Sequence, residues 1–197
     1  FDGVHIGHKE VLRRVVAEAR RTGAKSVALT FNPHPLKVLN PGASVPSLIS
    51  LKHRIELIRA SGVDYLIIVN FTKTVSRMKP EEFVREVLIK RIGMREVLVG
   101  GNFFFGHGAN AGVRILMTLS AVYSFKTVAV NPVKLGGKIV SSSLIRGLIV
   151  KGDIVTASKY LGRPVSILGT IVGGDRRGRS FGVSTANINP HHEAIPP

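Results

Sequence analysis

Phe1-Asp2-Gly3-Val4-His5-Ile6-Gly7-His8 opens the chain, and apolar residues at helical spacing follow at once: Val11, Leu12, Val15, Val16 and Ala19. Two imidazoles three residues apart at the start of a helix form a grip suited to a nucleoside triphosphate. A helix N-terminus offers unpaired backbone N–H groups and the positive end of the dipole, and Gly7 lets a phosphate approach the backbone. The histidines add donors without a fixed charge. Taken alone, the octapeptide is equally consistent with a solvated loop carrying two incidental histidines, so the rest of the chain decides.

Working outward, Thr22-Gly23 ends the first helix and Ser26 to Phe31 reads as a buried strand. A Pro- and Gly-rich loop runs from Asn32 to Pro46. Ser50 caps a second helix through Ala60, and Asp64 to Val69 is a second apolar strand. Pro80-Glu81-Glu82 puts proline and acids in the first turn of a helix that reaches Arg91, ahead of a strand from Arg95 to Gly100. A helix near Val113 to Val122, a strand at Lys126 to Val130 and a hairpin around Gly136-Gly137 follow. Helices starting at Ser141 and, capped by Asp153, running through Tyr160 lead to Leu161-Gly162-Arg163-Pro164. Beyond that point Val165 to Val172 reads as a strand and Gly173 to Arg179 as a glycine- and arginine-rich turn.

Alternating strands and helices, with strands apolar on both faces, predict an α/β fold whose parallel sheet is covered on two sides. Ligands of such sheets bind at the carboxyl ends of the strands. The loops 32–46, 70–79 and 100–110 fall there. The octapeptide joins them if residues upstream of Phe1 supply the first strand, and the absence of an initiator methionine leads us to expect such residues. We place a domain boundary near Pro164, giving 1–164 as a domain lacking its first strand and 165–197 as an incomplete second one.

The 28 Lys and Arg against 12 Asp and Glu give a net charge of +16, which draws phosphate-bearing partners without choosing among them. The basic residues are dispersed over helix faces and form no tail, so a nucleic-acid-binding module would rest on net charge alone. The absence of cysteine removes disulfides, thiolate zinc sites and cysteine nucleophiles and fits a cytoplasmic protein. No apolar stretch is long enough to span a bilayer.

A second anion clamp lies at Ser141-Ser142-Ser143-Leu144-Ile145-Arg146. Three hydroxyls at a helix N-terminus can donate to phosphate oxygens, and Arg146 lies about one turn further on. In isolation a serine N-cap with an exposed arginine is the better explanation. Paired with the histidine motif, the segment resembles the HIGH-type nucleotidyltransferase superfamily and its small-molecule adenylyltransferases. A tRNA synthetase would instead be expected to carry a Lys-Met-Ser-Lys-Ser-like loop.

Thr30-Phe31-Asn32-Pro33-His34-Pro35 and Val99-Gly100-Gly101-Asn102-Phe103-Phe104-Phe105-Gly106 narrow the likeness. With the octapeptide they resemble the prokaryotic bifunctional FAD synthetase family, riboflavin kinase/FMN adenylyltransferase. Gly162-Arg163-Pro164, Gly169 to Gly178-Arg179 and Thr185-Ala186-Asn187 are similar to the opening of that family's kinase domain. The resemblance implies a Rossmann-like nucleotidyltransferase domain followed by the first strands of a riboflavin kinase β-barrel. It implies transfer of AMP from ATP to FMN, giving FAD and pyrophosphate, with Mg²⁺ held mainly by the phosphates.

On the same basis His5, His8, Ser142 and Arg146 carry catalysis. Phe1, Asp2, Gly3, Asn102, Ser141 and Ser143 join them around ATP. Pro33, His34, Pro35, Asn102 and Phe103 line the flavin end, and Thr185 and Asn187 bind Mg-ATP in the kinase portion. Partners are ATP, FMN, FAD and, for the full-length protein, riboflavin, without nucleic acid or membrane.

Two departures from the family pattern stand out. Phe104 occupies a position commonly basic, and Val183-Ser184 stand where Phe-Pro is usual. With the catalytic carboxylate of the kinase barrel beyond the sequence, the 197 residues are expected to lack riboflavin kinase activity. Alternatives are another HIGH-type transferase acting on nicotinamide mononucleotide or phosphopantetheine, and the nucleic-acid module.

Overall fold

The computed structural model describes residues 1–42, 46–101, 103–106, 111–174, 182 and 185–190. The opening motif leads directly into α1 (Ile6–Thr22), whose buried Leu12, Val16 and Ala19 form the expected stripe. Arg20 and Arg21 lie in its last turn, and Gly23 closes it in the left-handed conformation (φ 66°). β1 (Val27–Asn32), α2 (Pro35–Leu39), α3 (Leu51–Arg59), β2 (Tyr65–Asn70) and α4 (Lys73–Arg77) follow. Ser26 pins the start of both strands: its N–H and hydroxyl donate to the Asp64 carboxylate at 2.8 and 2.6 Å.

α5 (Pro80–Glu82) continues as a π-helical segment (Phe83–Arg91) whose exit keeps the wider winding, Ile92 N–H donating to the Val87 carbonyl. Then come β3 (Glu96–Gly100), β4 (Phe104–Phe105), β5 (Ala111–Gly112), α6 (Val113–Tyr123) and β6 (Lys126–Val130). β7 (Lys134–Leu135) and β8 (Lys138–Ile139) pair antiparallel across Gly136 and Gly137, both at positive φ, as a two-residue hairpin requires. α7 (Ser142–Val150) and α8 (Ile154–Leu161) complete this portion.

The fold is α/β and Rossmann-like, with its parallel strands in two pairs. β1 runs parallel to β2, from Val27 opposite Tyr65 to Asn32 opposite Asn70. β3 runs parallel to β6, from Glu96 opposite Lys126 to Gly100 opposite Val130. Among the described residues the two pairs share no ladder hydrogen bonds. Val4, Leu12, Ala28, Ile49 and Ile58 fill the core under the first pair. Phe83, Val84, Val99, Phe105, Leu116, Leu119 and Phe125 fill that under the second, while Ile145, Ile149, Ala157 and Tyr160 join α7 to α8. Leu12 is 1% exposed, so its truncation to alanine costs about 2–5 kcal/mol.

Beyond Pro164 the expected strand over 165–172 is shorter: only β9 (Thr170–Val172) forms, antiparallel to β10 (Asn187–Asn189). These strands form the opening of a barrel, with exposed Ile171 and Ile188. Residues 175–179 of the glycine- and arginine-rich turn lie outside the described residues.

Candidate active site

The site grows from a strained turn. Gly3 adopts φ 83° and Val4, fully buried, adopts φ 41°, a conformation β-branched residues rarely take. A Cβ on Gly3 would meet the Leu48 side chain at 2.6 Å. The turn delivers His5 to the N-cap of α1, where its Nδ1 accepts the His8 N–H at 3.3 Å. The neutral His5 ring therefore carries its proton on Nε2.

The His5 and His8 rings stack at 3.7 Å, 17° from parallel, and Phe1 tilts against His8 at 5.1 Å. Burial, with the Arg163 charge adding to it, pushes His5 down to about 4. Burial, with His5 and Arg54 adding to it, holds His8 well below the usual imidazole range. Both rings are thus neutral near pH 7, and the buried His8 Nδ1 has no partner among the described residues. The space above Gly7 is taken by the His5 ring, 3.1 Å from where a Cβ would sit, so this glycine accommodates an imidazole where the sequence suggested a phosphate.

The second motif docks on the first. Ser141 caps α7, its hydroxyl oxygen accepting the Leu144 N–H at 3.2 Å. Ser142 donates its hydroxyl to the Asp2 carbonyl at 2.8 Å. Arg146 donates to the Asp2 carboxylate at 2.8 Å and to the Pro46 carbonyl at 3.0 Å. Asp2, 5% exposed, also accepts the Leu48 N–H at 3.0 Å. Ser143 is exposed.

The structure therefore brings Asp2, Gly3, His5, His8, Ser141, Ser142, Ser143 and Arg146 together. It commits Ser142 and Arg146 to the turn itself, where the sequence suggested free phosphate donors.

The proline-rich segment expected as a loop over 32–46 contains the short helix α2 (Pro35–Leu39). The Asn32–Pro33 bond is cis, and His34 caps α2, its Nδ1 accepting the Leu36 N–H at 3.3 Å. Burial lowers the His34 pKa, and the charges of Asp2, Arg146 and Arg54 act on it, so it shares the electrostatic environment of the turn. Pro33 is exposed and Pro35 half-buried. Phe103 stacks on Phe105 at 5.6 Å against the core beneath β3. Asn102 lies outside the described residues, as does the side chain of Phe104. Thr185 and Asn187 are exposed, and Asn187 covers Gly174 so closely that a side chain there has no room.

With this geometry in place, the comparisons decide the family. The family model for FAD synthetase matches residues 1–144, and that for riboflavin kinase matches residues 161–197. The chain belongs to the FAD synthetase family. Similar relatives include proteins named bifunctional riboflavin kinase/FMN adenylyltransferase. That of Listeria monocytogenes is 33% identical over 201 residues, covering 100% of this chain and 62% of the relative. That of Buchnera aphidicola is 31% identical over 190 residues (96% and 61%), and that of Escherichia coli 28% over 196 (100% and 63%).

The chain spans about three-fifths of the length of the curated relatives it matches. A solved structure described as a macrolide-efflux protein from Streptococcus pneumoniae superposes with a TM-score of 0.86 at 28% identity. It covers 100% of this chain and 64% of that one. Among the described residues no helix is long and apolar enough to cross a membrane.

Two buried or half-buried arginines were not among the residues the sequence singled out for the site. Arg54, 4% exposed, donates to the Phe31 carbonyl at 2.9 Å at the end of β1, and burial lowers its pKa. Arg163 donates to the Gly3 carbonyl at 2.8 Å and the Val4 carbonyl at 3.4 Å. Nothing local distinguishes Arg54 from the neighbouring Arg59. Only the cross-chain contacts do.

Proposed function

We propose that this chain carries the adenylyl-transfer site of an FMN adenylyltransferase, passing AMP from ATP to FMN to give FAD and pyrophosphate. The observation that carries this reading is the junction at Asp2. There a helix N-terminus bearing two neutral imidazoles and another bearing three serines converge in a chain of the FAD synthetase family. A phosphate oxygen of FMN attacks the α-phosphorus of ATP. The bond from that phosphorus to the bridging oxygen breaks, and pyrophosphate leaves with the electron pair.

The FMN phosphate is already anionic near neutral pH, so the reaction needs neither a strong base nor a covalent enzyme intermediate. It needs two anions aligned and the charge growing on the departing pyrophosphate stabilised. In this reading the His5 Nε2–H and the His8 ring donate to ATP phosphates. Phe1, Asp2 and Gly3 shape the turn, and Ser141 and Ser143 face the phosphates. Ser142 and Arg146 hold the two motifs together, while Pro33, His34, Pro35, Asn102 and Phe103 form the flavin end.

Magnesium accompanies the nucleotide. Among the described residues no group of three or more His, Asp or Glu converges, and the Asp2 carboxylate is already taken by Arg146 and Leu48. The described residues therefore do not fit a cage of their own, and no step is assigned to the ion.

The same reading divides the chain near Pro164, with Thr185 and Asn187 on the Mg-ATP side of the kinase portion. The full-length protein also phosphorylates riboflavin, and the enzyme works in the cytoplasm on these small molecules. The test is pyrophosphate release by the full-length protein. Release from ATP only when FMN is present is expected. FMN-independent turnover, or a preference for nicotinamide mononucleotide or phosphopantetheine, overturns the reading.

A further inference from the structure

Three consecutive carbonyls of the opening turn are held by side chains from the far end of the chain. Asp2 O accepts from Ser142, and Gly3 O and Val4 O both accept from Arg163. A buried β-branched residue at positive φ costs roughly 1–3 kcal/mol and persists only where its surroundings over-determine it. Arg163 holds the carbonyl of the strained Val4 and that of Gly3 before it. Its planar fork reaches the two carbonyls with separate nitrogens, Nη2 to Gly3 and Nη1 to Val4, a fixed spacing that the single nitrogen of a lysine does not reproduce.

The corner that supplies Arg163 is itself fixed against α1. Lys9 Nζ donates to the Gly162 carbonyl at 3.1 Å. Gly162, at φ 65°, packs so closely that a Cβ would lie 2.6 Å from the Ile6 side chain. The Val165 N–H donates to Ser158 Oγ at 3.2 Å, setting the path of the chain beyond the corner. This corner lies within the stretch matching riboflavin kinase.

We propose that Arg163 is a positioning residue for adenylyl transfer. By clamping the Gly3 and Val4 carbonyls it aims His5 and His8, and it makes the first residues of the kinase-like portion part of the nucleotide site. The proposal rests on the adenylyltransferase reading above. Besides geometry, the Arg163 charge acts on His5; the His8 ring stacks on His5, and Lys9 on the same helix also feels Arg163.

The test uses the full-length protein and two variants, Arg163→Ala and Arg163→Lys, with two readouts. The first is kcat and the ATP KM for FMN-dependent pyrophosphate release. The second is the pH titration of His5 by NMR. Misaiming the imidazoles is expected to lower kcat of Arg163→Ala about a hundredfold, with a smaller change in KM. Its His5 pKa should rise from about 4 toward the ordinary imidazole value. Arg163→Lys should restore the titration and only part of kcat.

A folded Arg163→Ala with wild-type kcat and an unmoved His5 titration overturns the proposal. If Arg163→Ala does not fold, the lysine variant decides, and wild-type kcat there overturns it equally. Should the wild type release no FMN-dependent pyrophosphate, the adenylyltransferase reading falls, while the His5 titration still decides whether Arg163 governs the imidazole.

Discussion

The helix that starts at Ile6 and the helix that starts at Ser142 both open on a side-chain cap, yet they use their remaining polar groups in opposite ways. His5 caps α1 through Nδ1 and keeps its Nε2–H, while His8 Nδ1 stays unpartnered among the described residues. At α7, Ser141 caps, Ser142 is spent on the Asp2 carbonyl and Arg146 on the Asp2 carboxylate. Two motifs that look like equivalent anion clamps therefore divide the labour. In the proposed site α1 presents uncharged donors, whereas α7 spends Ser142 and Arg146 on the turn that carries them and leaves Ser143 exposed.

The division breaks most directly at Arg146. Its pair with Asp2 is largely buried, the side chains being 19% and 4% exposed. Removing one member of such a pair strands the other, so Arg146→Ala should lower the unfolding free energy by about 3–5 kcal/mol. Urea denaturation measures this. Asp2→Asn/Arg146→Met should recover much of the loss, and a single variant as stable as wild type would show that α7 is not the holding side.

Acid acts on the presenting side. The folded His5 pKa of about 4 lies below its unfolded value of 6.5, so between the two the unfolded chain binds the extra proton. Stability contributed by neutral His5 is complete above about pH 6.5 and drains as the pH falls toward 4, by on the order of 3 kcal/mol. Urea midpoints at pH 7.5, 6 and 5 should fall in that order. Replacing His5 should make the series shallower, the remaining slope being that of His8, whose pKa is also lowered; an equally steep slope without His5 would place the titrating group elsewhere.

His5→Asn separates the two duties of that residue. Asparagine is a good N-cap, so the melting temperature should stay close to wild type. The imidazole donor is lost, and kcat should fall about a hundredfold, the scale for removing one donor to a developing anion. A large drop in stability with little change in kcat would make His5 structural only.

The strand–helix order, the caps at Ser50, Ser141 and Asp153, and the Gly-Gly hairpin were legible because each rests on local chemistry: hydrophobic period, a side-chain oxygen at a helix start, positive φ. The family was legible in the order of four motifs. α4 escaped because its five residues are too few to show a period, although Thr72 caps it by accepting the Val75 N–H. The π-helical winding after Phe83 also escaped, since side-chain pattern predicts a helix there without fixing its pitch. At the site, residue types were readable but their commitments were not. Whether Arg146 faces a ligand or Asp2, and whether Arg163 belongs to the second portion or to the first turn, depends on contacts spanning 144 and 160 residues.

The smallest effect sharpens the contrast within a single motif. Ser142 gives one hydrogen bond to the Asp2 carbonyl at 2.8 Å, so Ser142→Ala should cost about 1 kcal/mol of stability. Ser143, one residue further on, is exposed, and Ser143→Ala should leave the unfolding midpoint unchanged. If the hydroxyls divide as the geometry indicates, the effects on catalysis run the other way: Ser143→Ala raises the KM for ATP, whereas Ser142→Ala acts mainly through the turn. Measuring both variants for urea midpoint and ATP KM tests the assignment hydroxyl by hydroxyl. Equal stability losses from the two alanines would mean that the Ser142 contact does not hold Asp2, and α7 would then face the nucleotide as freely as α1.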